Sequence, residues 1–218
     1  MTKRKEFKIS LYLIGACILY TLLVKYIDVS QIGPQGSSVG FSTINNFFHK
    51  LFGVNMTFYN ISEIAGYIPF LIVGGYALVG GYQLITRKSI KKVDKEIVAI
   101  GLFYVAVLFV YVLFEKVVIN FRPTLIDGEL EASYPSSHTI LSLCICGSAI
   151  ILNKLKYSRI KAATYVNKLA IVVAPIILFG RLISGVHWFS DILGGIIISI
   201  TLLYIFRFAL IYMNEKKI

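Results

Sequence analysis

Residues 97–114 read IVAIGLFYVAVLFVYVLF and carry no charge and no proline. With its apolar flanks, a run of this kind reaches the roughly 20 residues needed to cross the hydrocarbon core of a bilayer. Inside that core no water is available to the backbone, so a single apolar run must be helical. The chain repeats the pattern. Apolar stretches at about 9–27, 62–86, 96–118, 137–153, 169–185 and 190–212 predict six spans. The composition agrees: 57% of the 218 residues are hydrophobic, against roughly 45–50% in soluble domains, and the mean hydropathy is +0.77. The predicted fold is all-α, a six-transmembrane-helix bundle forming one domain over residues 1–218. The fourth and fifth stretches are short, so their ends are expected in polar, protein-lined space. The N-terminus is basic and then apolar without a small-residue cleavage site, which reads as a retained first span.

The net charge of +11 would suggest nucleic acid for a soluble chain. Here the placement of the charges matters more, and the expected partner is the lipid bilayer, with no nucleic acid. Lys3, Arg4, Lys5 and Lys8 precede the first span; Arg87, Lys88, Lys91, Lys92 and Lys95 separate the second from the third. Lys154, Lys156, Arg159, Lys161 and Lys168 lie around the link between the fourth and fifth, and Arg207, Lys216 and Lys217 close the chain. The positive-inside rule then predicts a multi-pass plasma-membrane protein with both termini cytoplasmic. Arg122 and Arg181 fall at outer ends of spans, where the rule does not favour cations, so they need a local reason.

The first outer loop has a turn-rich stretch, GPQGSSVG at 33–40, followed by FSTINNFFHKLF at 41–52. Ile44, Phe47, Phe48, Leu51 and Phe52 share one helical face and Asn45, Asn46, His49 and Lys50 the other. This predicts a short amphipathic helix between spans one and two, lying in the headgroup plane or packed on the bundle, with His49 on a solvated face. Pro69 predicts a kink in the second span, and the pairs Gly74–Gly75 and Gly80–Gly81 predict close helix approach. Cys17, Cys144 and Cys146 lie in apolar stretches and read as small buried hydrophobes with no metal site.

Three polar clusters share the predicted outer face. NFRPTL supplies Arg122 and Pro123, YPSSHT supplies Pro135, Ser136, Ser137 and His138, and GRLISGVHWFSD supplies Arg181, His187 and Asp191. Two arginines offer planar donor forks that match phosphate oxygens. The start of the fourth span offers unpaired backbone N–H groups, with Pro135 suited to its first turn and serine hydroxyls beside it. Two histidines supply a nucleophile or base and an acid, and Asp191, four residues after His187, would share a helix face with it and fix its tautomer. Each feature has a bland reading on its own: a cap, an interfacial anchor, an Arg–Asp staple. Those readings leave unexplained why three clusters from distant parts of the chain share one face. Together they are an inventory for phosphoryl transfer through a phosphohistidine, with no metal or other cofactor.

These residues resemble the type-2 phosphatidic acid phosphatase superfamily, which also contains vanadium haloperoxidases and glucose-6-phosphatase. Its pattern is K-x6-R-P, then P-S-G-H, then S-R-x5-H-x3-D. The third part is matched by Arg181, His187 and Asp191 with Gly180 at the serine. The second is matched by Pro135, Ser136 and His138 with Ser137 at the glycine, and the first by Arg122 and Pro123 alone. The resemblance implies that His187 attacks phosphorus, Asp191 orients it and His138 protonates the leaving oxygen. Arg122, Arg181, Ser136 and the amide of Ser137 would hold the phosphoryl oxygens, without a metal. The family lysine position is occupied by Glu115. Lys116 lies one residue too late, about 100° away on a continuous helix. The expectation is that Glu115 pairs with a site cation and Lys116 is not a phosphate ligand.

Asp127, Glu129 and Glu131 alternate in LIDGELEAS and read as a solvated outer loop more than a magnesium site. The resemblance implies a lipid phosphate or pyrophosphate substrate, with undecaprenyl pyrophosphate, phosphatidylglycerophosphate and phosphatidic acid as the family's range. The competing reading is a catalytically weak protein that binds or translocates a phosphate lipid, motivated by Glu115. A vanadate-dependent peroxidase fits a small integral membrane chain poorly.

Overall fold

The computed structural model describes residues 3–215; Lys216 and Lys217 lie outside the described residues. Among the described residues seven α-helices follow one another: α1 (Lys3–Tyr26), α2 (Ser42–Phe52), α3 (Met56–Arg87), α4 (Lys95–Lys116), α5 (Ser137–Lys156), α6 (Lys161–Ile183) and α7 (Phe189–Glu215). All but α2 are long and apolar enough to cross a membrane. The second span starts six residues before its predicted onset because Asn55 caps it, its Oδ1 accepting from the amides of Thr57 at 3.1 Å and Phe58 at 3.3 Å. The fifth is not short: α6 begins at Lys161, and its polar first turns, KAATYVNK, hid them from a hydropathy reading.

α5 is the central helix, packed against α3, α4, α6 and α7. Its apolar window is 56% buried, against 11% for α1. Enclosure on all sides explains why Cys144 and Cys146 are both buried although they point apart, one in a cluster with Phe103 and Phe206 and the other beside Ile72 and Ala174. Cys17 is only partly buried, with its Sγ 3.0 Å from the Thr201 hydroxyl. Of the α3 glycine pairs only Gly80 meets a close neighbour, Ile97 of α4; Gly74, Gly75 and Gly81 face open space. The tighter approaches lie elsewhere. A side chain at Gly194 or Gly195 of α7 would collide with Tyr134 or Thr139, so these two glycines let α7 lie directly against the start of α5.

α2 turns a polar residue inward and several apolar residues outward, as a helix lying in the headgroup plane would. Asn45 is fully buried, while Ile44, Phe47 and Leu51 point outward. Asn45 donates to the Gly40 carbonyl at 2.8 Å and the Ser190 hydroxyl at 2.9 Å, and accepts from the Ser190 amide at 3.0 Å. His49 is only half-exposed, with its ring 5.4 Å from that of Trp188, and not on a fully solvated face. Asn45 satisfies groups at the start of α7 and Phe48 stacks on Phe189 at 4.2 Å, while Ile44, Phe47 and Leu51 are left for the surroundings, as suits an interfacial helix. The next junction is fixed as well: the Asn55 amide donates to the Ser184 carbonyl at 3.0 Å, tying the start of α3 to the α6–α7 turn.

Asn45→Ala leaves several buried partners unpaired, each costing about 1–3 kcal/mol. Thermal unfolding in detergent should show a loss of several degrees, with Asn46→Ala, on the same helix, close to wild type.

Candidate active site

The α6–α7 junction carries three buried site groups, Arg181, His187 and Asp191. Arg181 occupies the last turn of α6 and is 0% exposed. His187 lies in the turn itself, two residues before α7 starts, so His187 and Asp191 do not share a helix as predicted. Asp191 belongs to the first turn of α7, where its Oδ2 accepts from the Trp188 amide at 2.8 Å and sits 3.7 Å from His187 Nδ1. The nearer partner of Nδ1 is the Ser133 carbonyl at 3.2 Å. A carbonyl can only accept, so Nδ1 carries the proton and Nε2 holds the lone pair. His187 Nε2 is buried without a hydrogen-bond partner among the described residues. Burial, followed by the positive charges of Arg122 and Arg181, holds the imidazole pKa well below its ordinary value of 6.5. His187 is therefore a neutral base at neutral pH.

Arg122 comes from the irregular segment between α4 and α5. Its amide donates to the Glu131 carbonyl at 3.0 Å, and Trp188 Nε1 donates to the neighbouring Phe121 carbonyl at 2.7 Å. This corrects the helix-phase argument about the family lysine. α4 ends at Lys116, with the amide of Val117 closing its last turn, so no continuous helix links residues 115 and 116 to Arg122. Glu115 and Lys116 are both exposed at the helix end, but Glu115 lines a small cavity with Tyr111, Ser133, Ser137 and His187 and Lys116 does not. Nor is Glu115 the carboxylate beside the arginines. Glu131, expected to be a solvated loop residue, has its Oε2 2.9 Å from Arg122 Nε. Glu63 of α3, absent from the sequence reading, pairs with Arg181. Glu131 attracts Arg122 off the line of a hydrogen bond, so Arg122 Nε and Nη1 keep unspent donors, as do Arg181 Nε and Nη1.

Ser136 is the N-cap residue of α5, which places Pro135 one position outside the cap and not in the first turn. Its amide donates to the Asp191 carbonyl at 3.1 Å, and its buried hydroxyl accepts from Thr139 at 3.0 Å. The first bond of the helix runs from the Ile140 amide to the Ser136 carbonyl at 3.0 Å. The amides of Ser137, His138 and Thr139 thus fall outside the helical ladder and carry the positive end of its dipole. His138, in that first turn, has its Nε2 3.5 Å from Glu63 Oε2. Its Nδ1 is buried and unpartnered among the described residues.

The structure thus gathers Arg122, Ser136, Ser137, His138, Arg181, His187 and Asp191 at one end of the bundle and leaves Lys116 aside. Arg122, Arg181 and the first-turn amides of α5 offer donors without acceptors around the lone-pair nitrogen of His187, an arrangement suited to a tetrahedral oxyanion. Missed in the sequence were Ser133, whose carbonyl sets a tautomer that no side-chain pattern encodes, and Glu63. Glu63 did leave a signal, a carboxylate within an apolar helical run.

A family model described as the PAP2 superfamily matches residues 97–215. The chain is 32% identical over 92 residues to lipid phosphate phosphatase delta of Arabidopsis thaliana, a match covering 41% of this chain and 21% of that relative's length. Its fold is similar to that in the crystal structure of a transmembrane PAP2-type phosphatidylglycerolphosphate phosphatase from Bacillus subtilis, with a TM-score of 0.62 at 16% identity, covering 95% of this chain and 96% of the other. The family match spans more than half of the chain and contains all of the gathered residues, and the chain belongs to the PAP2 superfamily.

Proposed function

We propose that this protein is a metal-independent membrane phosphatase that hydrolyses a lipid phosphate or pyrophosphate on the outer face of the membrane through a phosphohistidine. The observation that carries this reading is His187 Nε2, a buried lone-pair nitrogen near two arginines with unspent donors and near the unpaired amides of α5. In the first step Nε2 attacks phosphorus and the bond to the leaving oxygen breaks. That oxygen takes a proton from His138, and the positive charge left on the His187 ring is stabilised by Ser133 and Asp191. In the second step water attacks phosphorus and yields a proton to His138; the new P–O bond forms as the P–N bond breaks, its electron pair returns to Nε2, and phosphate departs. Arg122 and Arg181 stabilise the charge on the equatorial oxygens in both steps.

Support for a lipid comes from a cleft of about 190 Å³ that runs from His138 and Ser137 along Gly66, Pro69, Phe70 and Leu141. It adjoins the proposed acid, where a leaving group would sit, and its walls are mostly apolar. The similar Bacillus subtilis protein is named for phosphatidylglycerolphosphate, which belongs at the head of a panel with phosphatidic acid and undecaprenyl pyrophosphate. Placement of the site on the outer face rests on the basic loops, which lie at the opposite ends of the spans. Glu115 at the family lysine position favours the competing view, a protein that binds or moves a phosphate lipid without turnover.

Purified protein in chelator should release phosphate from at least one member of that panel, and His187→Ala should lower the rate ~10³-fold or more. Binding without release from any member would support the competing view. The lowered pKa of His187 fixes a sign in pH. The nucleophile stays neutral through pH 6.5 and is lost only as pH falls through the depressed value, so the acid limb of kcat/KM should lie below 6.5. Lys116→Ala should leave phosphate release near wild type, because Lys116 stands apart from the site.

A further inference from the structure

We infer that Glu63 is a positioning residue for this reaction, holding His138 and Arg181 so that the leaving oxygen can be protonated. The inference deepens the phosphatase reading and rests on it. A single carboxylate oxygen, Glu63 Oε2, serves both groups: it pairs with Arg181 Nη2 and lies 3.5 Å from His138 Nε2. A carboxylate beside Nε2 accepts that nitrogen's proton in a hydrogen bond and stabilises the imidazolium form. The other nitrogen, Nδ1, is buried and has no partner among the described residues, so it is the one left to carry the transferable proton. Four charged or titratable groups face His138 besides Glu63: Arg181 of α6, Arg122 of the α4–α5 segment, His187 of the α6–α7 turn and Tyr111 of α4. Two of these are permanent cations that oppose an imidazolium, so the acid form needs a local anion.

Glu63 also spends only part of Arg181. One nitrogen is paired, while Nε and Nη1 remain for phosphoryl oxygens. Tyr59, one turn before Glu63 on α3, has its ring 4.9 Å from the same guanidinium, so the two α3 residues together fix the plane of the fork.

The seating of α3 explains a departure from the family motif. Where the pattern has serine, this chain has Gly180, and a Cβ there would lie 2.7 Å from Ser62 Cβ. The glycine lets α3 approach α6 closely enough for the residue after Ser62 to reach Arg181. Gly66, the next turn of α3, does the same toward α5, since a Cβ there would lie 3.1 Å from His138 Cδ2. Glu63 and Gly180 thus form a coupled pair.

In the phosphorylation step the P–N bond to His187 forms, the P–O bond breaks with its electron pair going to oxygen, and the His138 Nδ1 proton moves to that oxygen. An alkoxide needs that proton and a nitrophenolate does not. The test compares kcat/KM for an alkyl phosphate and for a nitrophenyl phosphate bearing the same alkyl chain. Glu63→Gln should lower the first by about 10²-fold and the second at least about tenfold less. Gly180→Ala should reproduce that bias by pushing α3 away, and Ser62→Gly combined with Gly180→Ala should restore it toward wild type. Equal losses on both esters, or no loss on either, would overturn the inference, as would a double variant that keeps the bias of Gly180→Ala. Wild-type protein that releases phosphate from neither ester would instead contradict the phosphatase reading itself.

Discussion

A guanidinium with no exposure, set in the wall of an apolar helix bundle, is the constraint around which the rest of the site is arranged. Arg181 cannot shed its charge. A charge withdrawn from water must be repaid by an opposite charge and by hydrogen bonds in good geometry. Glu63 supplies part of that compensation and leaves two nitrogens unspent. Arg122 is handled in the same way, with Glu131 alongside and donors to spare. The two arginines are stabilised enough to fold and retain donors for an anion. In the proposed reaction a phosphoryl group would complete what the carboxylates begin, its charge rising in the direction that the arginines, the amides of α5 and the helix dipole favour.

That arrangement would be useless if the pieces could drift, and the surrounding hydrogen bonds prevent it. Asn45 ties α2 to the first residues of α7, the Asn55 amide ties α3 to the α6–α7 turn, and Trp188 ties that turn to the Phe121 carbonyl beside Arg122. Gly194 and Gly195 bring the start of α5 against α7. The Ser136 amide and the Asp191 carbonyl then join the helix that carries the proposed acid to the helix that follows the proposed nucleophile. Irregular backbone near membrane depth is tolerated where protein satisfies it, and here that backbone does chemical service: the Ser133 carbonyl decides which nitrogen of His187 has a lone pair.

The sequence announced much of this and hid the rest for identifiable reasons. Six spans were legible because their apolar runs are long, and α5 was placed at its first residue because the proline and serines of YPSSHT mark a helix start just before an apolar run. Arg122, His138, Arg181 and His187 were legible because ionisable groups at span ends need a reason. The faces of α2 were not, because amphipathicity reports two faces but not which one meets protein; hydrogen bonds from Asn45 to α7 decided that. The phase of Glu115 and Lys116 relative to Arg122 was misjudged because the end of α4 depends on where the following segment folds back. Glu63 was passed over because the predicted start of the second span fell one residue before it, so it looked like a boundary charge.

The central claim is that phosphate passes through His187, and trapping the intermediate tests it most directly. Protein mixed with lipid substrate labelled in the transferred phosphate and quenched in base should carry label on the peptide containing His187. The label should be lost on mild acid treatment, as for a phosphorus–nitrogen bond, and absent from His187→Ala. Full turnover with no protein-bound label at any quench time, or label that persists in His187→Ala, would contradict the account.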